Sequence, residues 1–207
     1  MYPTAEIRWF YPGTVPSEVE ANFGEGSGAV EDEPSREDHY LSLPSMDGVG
    51  IKLREGRIEI KKRTQREGPT YLGEGAAGVL EHWRKWSFPL AESGITSSIA
   101  TATASWISVE KERLLRTYGL TSEKRVVPCS SEEAPSQGCE MELTDVRVED
   151  RVWWTLAFEA FGKESCLREN LLLVIQHVLT SRDLPPLSAK TSCGYAEWLA
   201  RIQDSGE

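Results

Sequence analysis

Apolar and charged residues alternate at every second position along most of this chain, and the spacing lengthens to that of a helix only towards the C-terminus. The clearest stretch is VGIKLREGRIEIKKR, from Val49 to Arg63. Successive side chains of a strand point to opposite faces, so Val49, Ile51 and Leu53 share one face while Lys52 and Arg54 share the other. Glu55-Gly56 marks a turn, after which Ile58 and Ile60 oppose Arg57, Glu59 and Lys61. The pattern recurs at Trp106 to Leu115, where Lys111 and Arg113 align, and at Cys139 to Val146, where Glu140 and Glu142 align. It recurs again at Val152 to Phe161, whose Trp153, Thr155 and Ala157 face ends on Glu159.

Other elements follow from the same signals. A first strand is predicted over Ala5 to Tyr11, with Glu6, Arg8 and Phe10 on one face, Ile7 and Trp9 on the other, and Pro12-Gly13 as its stop. Ser17 to Phe23 reads as a short helix, with Ser17 as N-cap and Glu20 as its capping-box partner. Residues 24–37, rich in Gly, Ser and acid, read as a mobile loop, and a strand opens at about His39. A polar, Gly-rich connection is expected from the hairpin to Gly78. In GVLEHWRKWSFP, Val79, Trp83 and Trp86 fall at helical spacing, whereas Glu81, Trp83, Lys85 and Ser87 fall on one strand face. The flanking Gly and Pro and the bulky aromatics favour a strand. Residues 94–105 fit neither period. Leu167, Leu171, Val174, Ile175 and Val178 then mark an amphipathic helix, and Ser192 is expected to cap a second one that buries Tyr195, Trp198, Leu199 and Ile202.

Alternation alone suits two architectures. One is an open antiparallel sheet whose charged face meets water. The other is an inverted barrel in which charged faces converge on a polar lumen. About eight strands with helices at the ends suit an α+β fold built on an eight-stranded antiparallel β-barrel, closed or nearly closed, with covering helices. At 207 residues the chain is expected to form a single domain, long enough to bury about 70% of its unfolded surface without covalent staples.

The net charge of −10 and pI near 5.0 exclude a nucleic-acid binder, which needs a dominant basic stripe. Any cationic site must be local. The cysteines, Cys129, Cys139, Cys166 and Cys193, have no CxxC and no zinc spacing to His39, His82 or His177, so they read as reduced thiols. The start, MYPTAEIRWF, has no basic stretch followed by an apolar one. Apolar runs such as Leu171 to Ile175 fall far short of the ~18 residues that span a bilayer. The expectation is a cytoplasmic protein with no membrane partner. The seven tryptophans read as barrel-wall and helix-packing residues rather than a stacking platform.

The order of these motifs resembles the CYTH superfamily, the triphosphate tunnel enzymes that include thiamine triphosphatases, inorganic tripolyphosphatases and class IV adenylyl cyclases. REDHYLSLP stands where that family has a D-x-Y strand, GIKLREGRIEIKKR where it has R-x-R, a turn and a strand ending in Lys, and VEKERLLRTY where it has K-x-R. CEMELTDV, then WWTLAFEAFG in place of the E-x-E strand, and SCGYAEWL in place of an S-Y-x-x-L helix complete the order. The resemblance implies a tunnel in which basic side chains hold a triphosphate or other small phosphorylated anion and carboxylates hold Mg²⁺ or Mn²⁺. It assigns phosphate binding to Lys52, Arg54, Lys61, Lys111 and Arg113, with Lys85 added if its segment is a strand and Arg8 as a further candidate. It assigns metal binding to Glu6, Glu140, Glu142 and Glu159, of which Glu6, Glu142 and Glu159 would serve a metal-dependent phosphohydrolysis. Hard divalent ions take carboxylate oxygens, and Arg and Lys in a low-dielectric channel bind phosphate strongly.

Two positions depart from the family pattern. The first-strand E-x-E-x-K reads Glu6, Arg8 and Phe10, and the late E-x-E carries Ala157 in its first place. A guanidinium in place of a metal-binding carboxylate removes a ligand and adds repulsion, on the order of 4 kcal/mol per charge pair at 4 Å and an effective dielectric of 20. Two functions therefore stand side by side: a phosphohydrolase, and a non-catalytic anion-binding or scaffold module that has lost the metal site.

Overall fold

The structure is a computed structural model that describes residues 2–26, 28–43, 45–73, 75–90, 106–130 and 135–204; the unassigned stretch 94–105 lies outside them. Among the described residues there are nine strands: β1 (Tyr2–Pro12), β2 (Glu31–Leu41), β3 (Val49–Arg54), β4 (Arg57–Gly73), β5 (Ala76–Pro89), β6 (Trp106–Leu120), β7 (Val126–Cys129), β8 (Gly138–Val148) and β9 (Arg151–Phe161). Eight of them form a ring in the order β2-β3-β4-β5-β1-β9-β8-β6, closed by the pairing of β2 with β6. All these pairings are antiparallel. The ninth, β7, pairs with the end of β6 from Thr117 onward, past the point where β2 begins opposite Leu115. The fold is thus a closed eight-stranded barrel with three helices among the described residues, the architecture expected from about eight strands with helices at the ends of their array. The ring consists of two meanders, β2 to β5 and β6-β8-β9. The first strand, wedged between β5 and β9, joins them on one side, and the β2–β6 seam joins them on the other.

Two stretches differ from expectation for local reasons. Residues 31–37, read as part of a loop, form the first half of β2 and pair with β6. Their acids meet cations there, as Glu33 does Arg113, and a register shift between Glu33 and Arg36 accommodates Pro34, which has no N–H to offer a ladder. The polar connection expected before Gly78 is a continuation of the β4–β5 hairpin. Its pairing reaches Gly73 and Ala76, with irregularities at Arg63/Gln65, Arg66/Pro69 and Tyr71/Gly73. The segment from Val79 to Phe88 is strand, as its flanks suggest.

Helix α1 (Ser17–Gly24) starts one residue earlier than a Ser17 cap would place it. Pro16 is its N-cap, no side chain caps it, and the Val19 and Glu20 N–H groups donate to the Pro16 carbonyl. Helix α2 (Leu167–Ser181) follows a single 3-10 turn at Glu164–Cys166. Helix α3 (Tyr195–Asp204) begins later than Ser192, whose Oγ instead accepts from the Val79 N–H at 2.8 Å. The first turn of α3 closes when the Trp198 N–H donates to the Gly194 carbonyl at 3.0 Å.

The two helices at the end of the chain serve opposite sides of the wall. Leu167, Leu171, Val174, Ile175 and Val178 of α2 pack on outward residues of β1 (Ala5, Ile7, Trp9), β8 (Met141, Leu143) and β9 (Leu156, Phe158). The apolar face of α3, with Trp198, Leu199 and Ile202, instead meets lumen-facing residues at one end of the barrel, Phe10, Val109, Val146 and Val148. Phe10 stacks on Trp198 with centroids 4.5 Å apart, and Trp153 meets the same indole edge-on. One end of the tunnel is therefore stoppered by hydrophobic packing. Among the described residues no helix is long and apolar enough to cross a membrane.

Close backbone approach explains the glycine that opens β8. A Cβ on Gly138 would lie 2.1 Å from the Tyr118 carbonyl oxygen, an overlap that only movement of the main chain of β6 relieves. Gly138→Ala should therefore lower stability by about 1–3 kcal/mol, read as a drop in the urea midpoint with an unchanged slope.

Candidate functional site

Between the α3 stopper and the far mouth, the barrel encloses a cavity of about 150 Å³. Its wall is built by the pleat period, with residues two apart on one strand turning inward. Thus β1 supplies Glu6 and Arg8, β2 Arg36 and Tyr40, β3 Lys52 and Arg54, β4 Glu59 and Lys61, β5 Trp83 and Lys85, and β6 Lys111 and Arg113. Glu142 of β8, Glu159 of β9 and the Gly194–Ala196 segment at the start of α3 complete it. All seven cations expected in the lumen, together with Glu6, Glu142 and Glu159, are brought to this one cavity. Glu140 does not line it; it faces Glu159 across the β8–β9 ladder.

The charges form linked pairs. Arg8 Nε donates to Glu6 Oε1 at 2.9 Å, and its Nη1 donates to Glu142 Oε1 at 2.6 Å and Thr155 Oγ1 at 2.9 Å. Lys61 Nζ reaches Glu6 Oε2 at 2.5 Å and Glu159 Oε1 at 3.2 Å. Arg113 bonds Glu142 Oε2 at 3.1 Å and also Glu33. On the opposite wall Asp38 Oδ2 accepts from Lys52 at 3.1 Å and Lys111 at 3.0 Å. Lys111 also donates to the Tyr40 hydroxyl and lies 3.8 Å from the centroid of the Tyr195 ring. Glu59 joins Lys52 at 3.2 Å to Lys85 at 3.0 Å. The deep members are almost sealed, with Arg8 5% and Lys111 3% exposed. Lys85 at 36%, Glu159 at 31% and Arg54 at 26% mark the side open to solvent.

The pairing leaves cations and donors over. Eight cationic side chains line the cavity against four carboxylates, and Asp38 behind the wall adds one more acid. Among the described residues, four buried donors of the lining, Arg36 Nε, Trp83 Nε1, Arg113 Nε and the Tyr195 hydroxyl, have no hydrogen-bond partner. The one lining carboxylate oxygen in that condition, Glu59 Oε2, sits 3.2 Å from Lys52 Nζ. Among the described residues Arg54 has only the long 3.7 Å contact with Glu55 in its own turn.

Burial and neighbours push these groups in different directions. For Glu6, burial would raise the pKa, but Lys61 and Arg8 outweigh it and hold the carboxyl at about 2. Glu142 is likewise held well below the carboxylate range, against burial, by Arg8 and Arg113, and Asp38 by Lys111 and Lys52. Burial drives Lys111 well below an ordinary lysine, and the nearby Lys52 and Arg36 push the same way. Glu140 behaves oppositely to the other acids. Burial, then Glu159 and Glu142, raise it to about 7.

The divalent ion expected from the sequence meets a geometric obstacle. Both oxygens of Glu6 and both of Glu142 are engaged by cationic donors, and the Arg8 guanidinium lies between the two carboxylates that an ion would have to bridge. Among the described residues no group of three or more His, Cys, Asp or Glu is arranged to hold a metal. As placed, Glu6, Glu140, Glu142 and Glu159 do not form one ligand set.

Several residues in or beside the cavity carry no role in the sequence reading. Arg36 lies in the stretch taken for a loop, and Tyr40 and Asp38 belong to the D-x-Y strand, where the i, i+2 spacing of Arg36, Asp38 and Tyr40 was the available signal. Tyr195, expected only as a helix core residue, has Arg8 4.8 Å from its ring centroid. Glu81 is 2% exposed and bonds Arg63 at 2.7 Å, so it is an internal acid outside the cavity.

No model of a known protein family matches this chain, and no curated protein matches it. Solved structures similar to it include a conserved hypothetical protein from Pyrococcus furiosus, 11% identical, with a TM-score of 0.45 over 94% of this chain and 98% of that one. The PH1819 protein of Pyrococcus horikoshii OT3 is 10% identical, with a TM-score of 0.49 over 98% of this chain and 99% of that one. The PH1012 protein of the same organism is 12% identical, with a TM-score of 0.43 over 93% of this chain and 98% of that one.

The Glu140 carboxyl has a direct consequence for stability. Between its ordinary 4.5 and about 7 the folded protein keeps a proton that the unfolded chain has released, so this group costs stability as pH rises through that window. Glu6, Glu142 and Asp38 act with the opposite sign, losing their stabilisation only as pH falls below the carboxylate range. Glu140→Gln should match the wild type near pH 4.5 and exceed it by about 3 kcal/mol at pH 8, measured by urea unfolding at both pH values.

Proposed function

We propose that the protein binds a small phosphorylated anion, of the triphosphate class, in the barrel lumen. The observation that carries this reading is the excess of cations and unpaired buried donors around an enclosed cavity in a chain of net charge −10. Burying more cations than acids is unfavourable unless an anion completes the set, and phosphate oxygens accept from guanidinium and ammonium groups with short, charge-assisted bonds. Arg36, Lys52, Arg54, Lys85 and Arg113 are the groups with donors to spare, Lys61 stands beside them towards the open side, and Lys111 supplies field from beneath. The cavity of about 150 Å³ suits a compact polyanion, and the apolar stopper favours entry from the Lys85 and Arg54 side. An acidic exterior around a cationic hole repels long polyanions such as nucleic acids. The motif order described above, similar to that of the CYTH superfamily, supports the same ligand class. We place the protein in the cytoplasm, a setting supported by four cysteines that form no disulfide.

Hydrolysis of the bound anion is the second reading. It is favoured by Glu140, which lies two residues from the lining Glu142 on the same face of β8 and beside Glu159, and whose carboxyl, held up at about 7, suits a general base.

Isothermal titration calorimetry with tripolyphosphate, thiamine triphosphate and ATP tests both readings, accompanied by a phosphate-release assay. Binding that weakens with added salt is expected. Arg54→Ala, at the rim, should weaken it by about tenfold, the lower end of one charge-assisted hydrogen bond. If none of these compounds gives heat or a thermal shift, the lumen is a structural ion network and the proposal fails.

A further inference from the structure

We infer that Arg8 is a built-in cation standing in place of a divalent metal ion, so that the lumen holds its anion without one. The anion half of this inference rests on the reading above; the metal half does not. Three features of the site place the guanidinium where a bridging ion would act. Its Nε and Nη1 contact one oxygen each of Glu6 and Glu142, at 2.9 and 2.6 Å. The remaining oxygens of the same carboxylates are taken by Lys61 at 2.5 Å and Arg113 at 3.1 Å. Room for the long side chain comes from Ala157, which is the cross-strand partner of both Arg8 and Glu142 and carries only a methyl group.

The guanidinium is fixed in this position. It is 5% exposed, it donates a third bond to Thr155 Oγ1 at 2.9 Å, and the Tyr195 ring lies beside it at 4.8 Å. Burial would favour its neutral form, but Glu142 and Glu6 reverse that and raise its pKa well above the usual value, so the charge is permanent at any working pH. A metal ion could reach these carboxylates only by displacing this group and approaching Lys61 and Arg113 as well. Unlike a metal, a guanidinium neither exchanges with solvent nor acidifies a bound water. The site is therefore indifferent to chelators, and any turnover proceeds without a metal-bound hydroxide.

The test has two independent arms. In the first, Mn²⁺ alone is titrated and followed by the loss of its free-ion electron paramagnetic resonance signal, with wild type, Arg8→Glu and Arg8→Gln. The wild type should leave Mn²⁺ free, and both variants should take up one ion at least tenfold more tightly. In the second, tripolyphosphate is titrated calorimetrically into wild type and Arg8→Glu in EDTA. Binding to the wild type and a loss of at least tenfold in the variant are expected.

Tight Mn²⁺ uptake by the wild type, or no gain in either folded variant, overturns the inference. So does tripolyphosphate binding that the wild type shows only when a divalent ion is supplied. If Arg8→Glu does not fold, Arg8→Gln, which frees Glu6 and Glu142 without adding an acid, decides the first arm, and wild-type uptake decides it even without either variant. If no phosphate compound binds under any condition, the anion reading falls while the Mn²⁺ arm still rules on Arg8.

Discussion

A ring of cations cannot be enclosed behind a β wall unless something of opposite sign is enclosed with it, and that electrostatic condition organises this protein. The alternation of every strand delivers charge inward, so closing the barrel removes Arg8, Lys111 and their neighbours from water at a cost of several kcal/mol per ion. The acids that offset this cost are not local. Arg8 is bonded to Glu142, Lys61 to Glu6, Lys111 to Asp38 and Arg113 to Glu33. The residual positive excess is what makes the cavity a candidate anion site, and any anion it took would join the same network that holds the wall together.

The hydrophobic architecture is arranged around this polar interior. Most small domains put apolar residues inside and charge outside, whereas here α2 covers an apolar outer wall and the main core lies between helix and barrel. Where apolar residues do enter the lumen, at Phe10, Val109, Val146 and Val148, they coincide with the α3 stopper. Phe10 is two residues from Arg8 on the same inward face, so one strand passes from hydrophobic seal to buried ion pair within a single repeat. That juxtaposition lowers the local dielectric around Arg8 and strengthens its contacts with Glu6 and Glu142.

Much of this was legible in the sequence because strand alternation reports directly which side chains share a face. Lys52, Arg54, Lys61, Lys111, Arg113, Glu142 and Glu159 follow from period two alone once the sheet closes on itself. What alternation cannot report is the register between strands distant in sequence. It therefore gave no warning that the β2–β6 pairing sets Arg36 opposite Lys111, or that Arg8 would reach Glu142 across β9. Composition misled at residues 31–37, where acid and Pro34 resemble a solvated loop although partners on β6 make them a strand. The cap expected at Ser192 failed for a similar reason, because the hydroxyl found a better use for itself on the Val79 amide of a distant strand.

The ion pairs also have a mechanical meaning. The two meanders of the barrel are joined along three lines, one on each side of β1 and one where β2 meets β6, and the lumen bonds from Arg8, Lys61, Lys111 and Arg113 run across those lines. They act as sutures. A guest that drew these cations toward itself would slacken the stitching at the same moment that it added its own bridges between the halves. Occupancy and the breathing of the barrel wall would then be a single coupled equilibrium, and amide exchange along β2 and β1 would register the visitor far from the groups it touched.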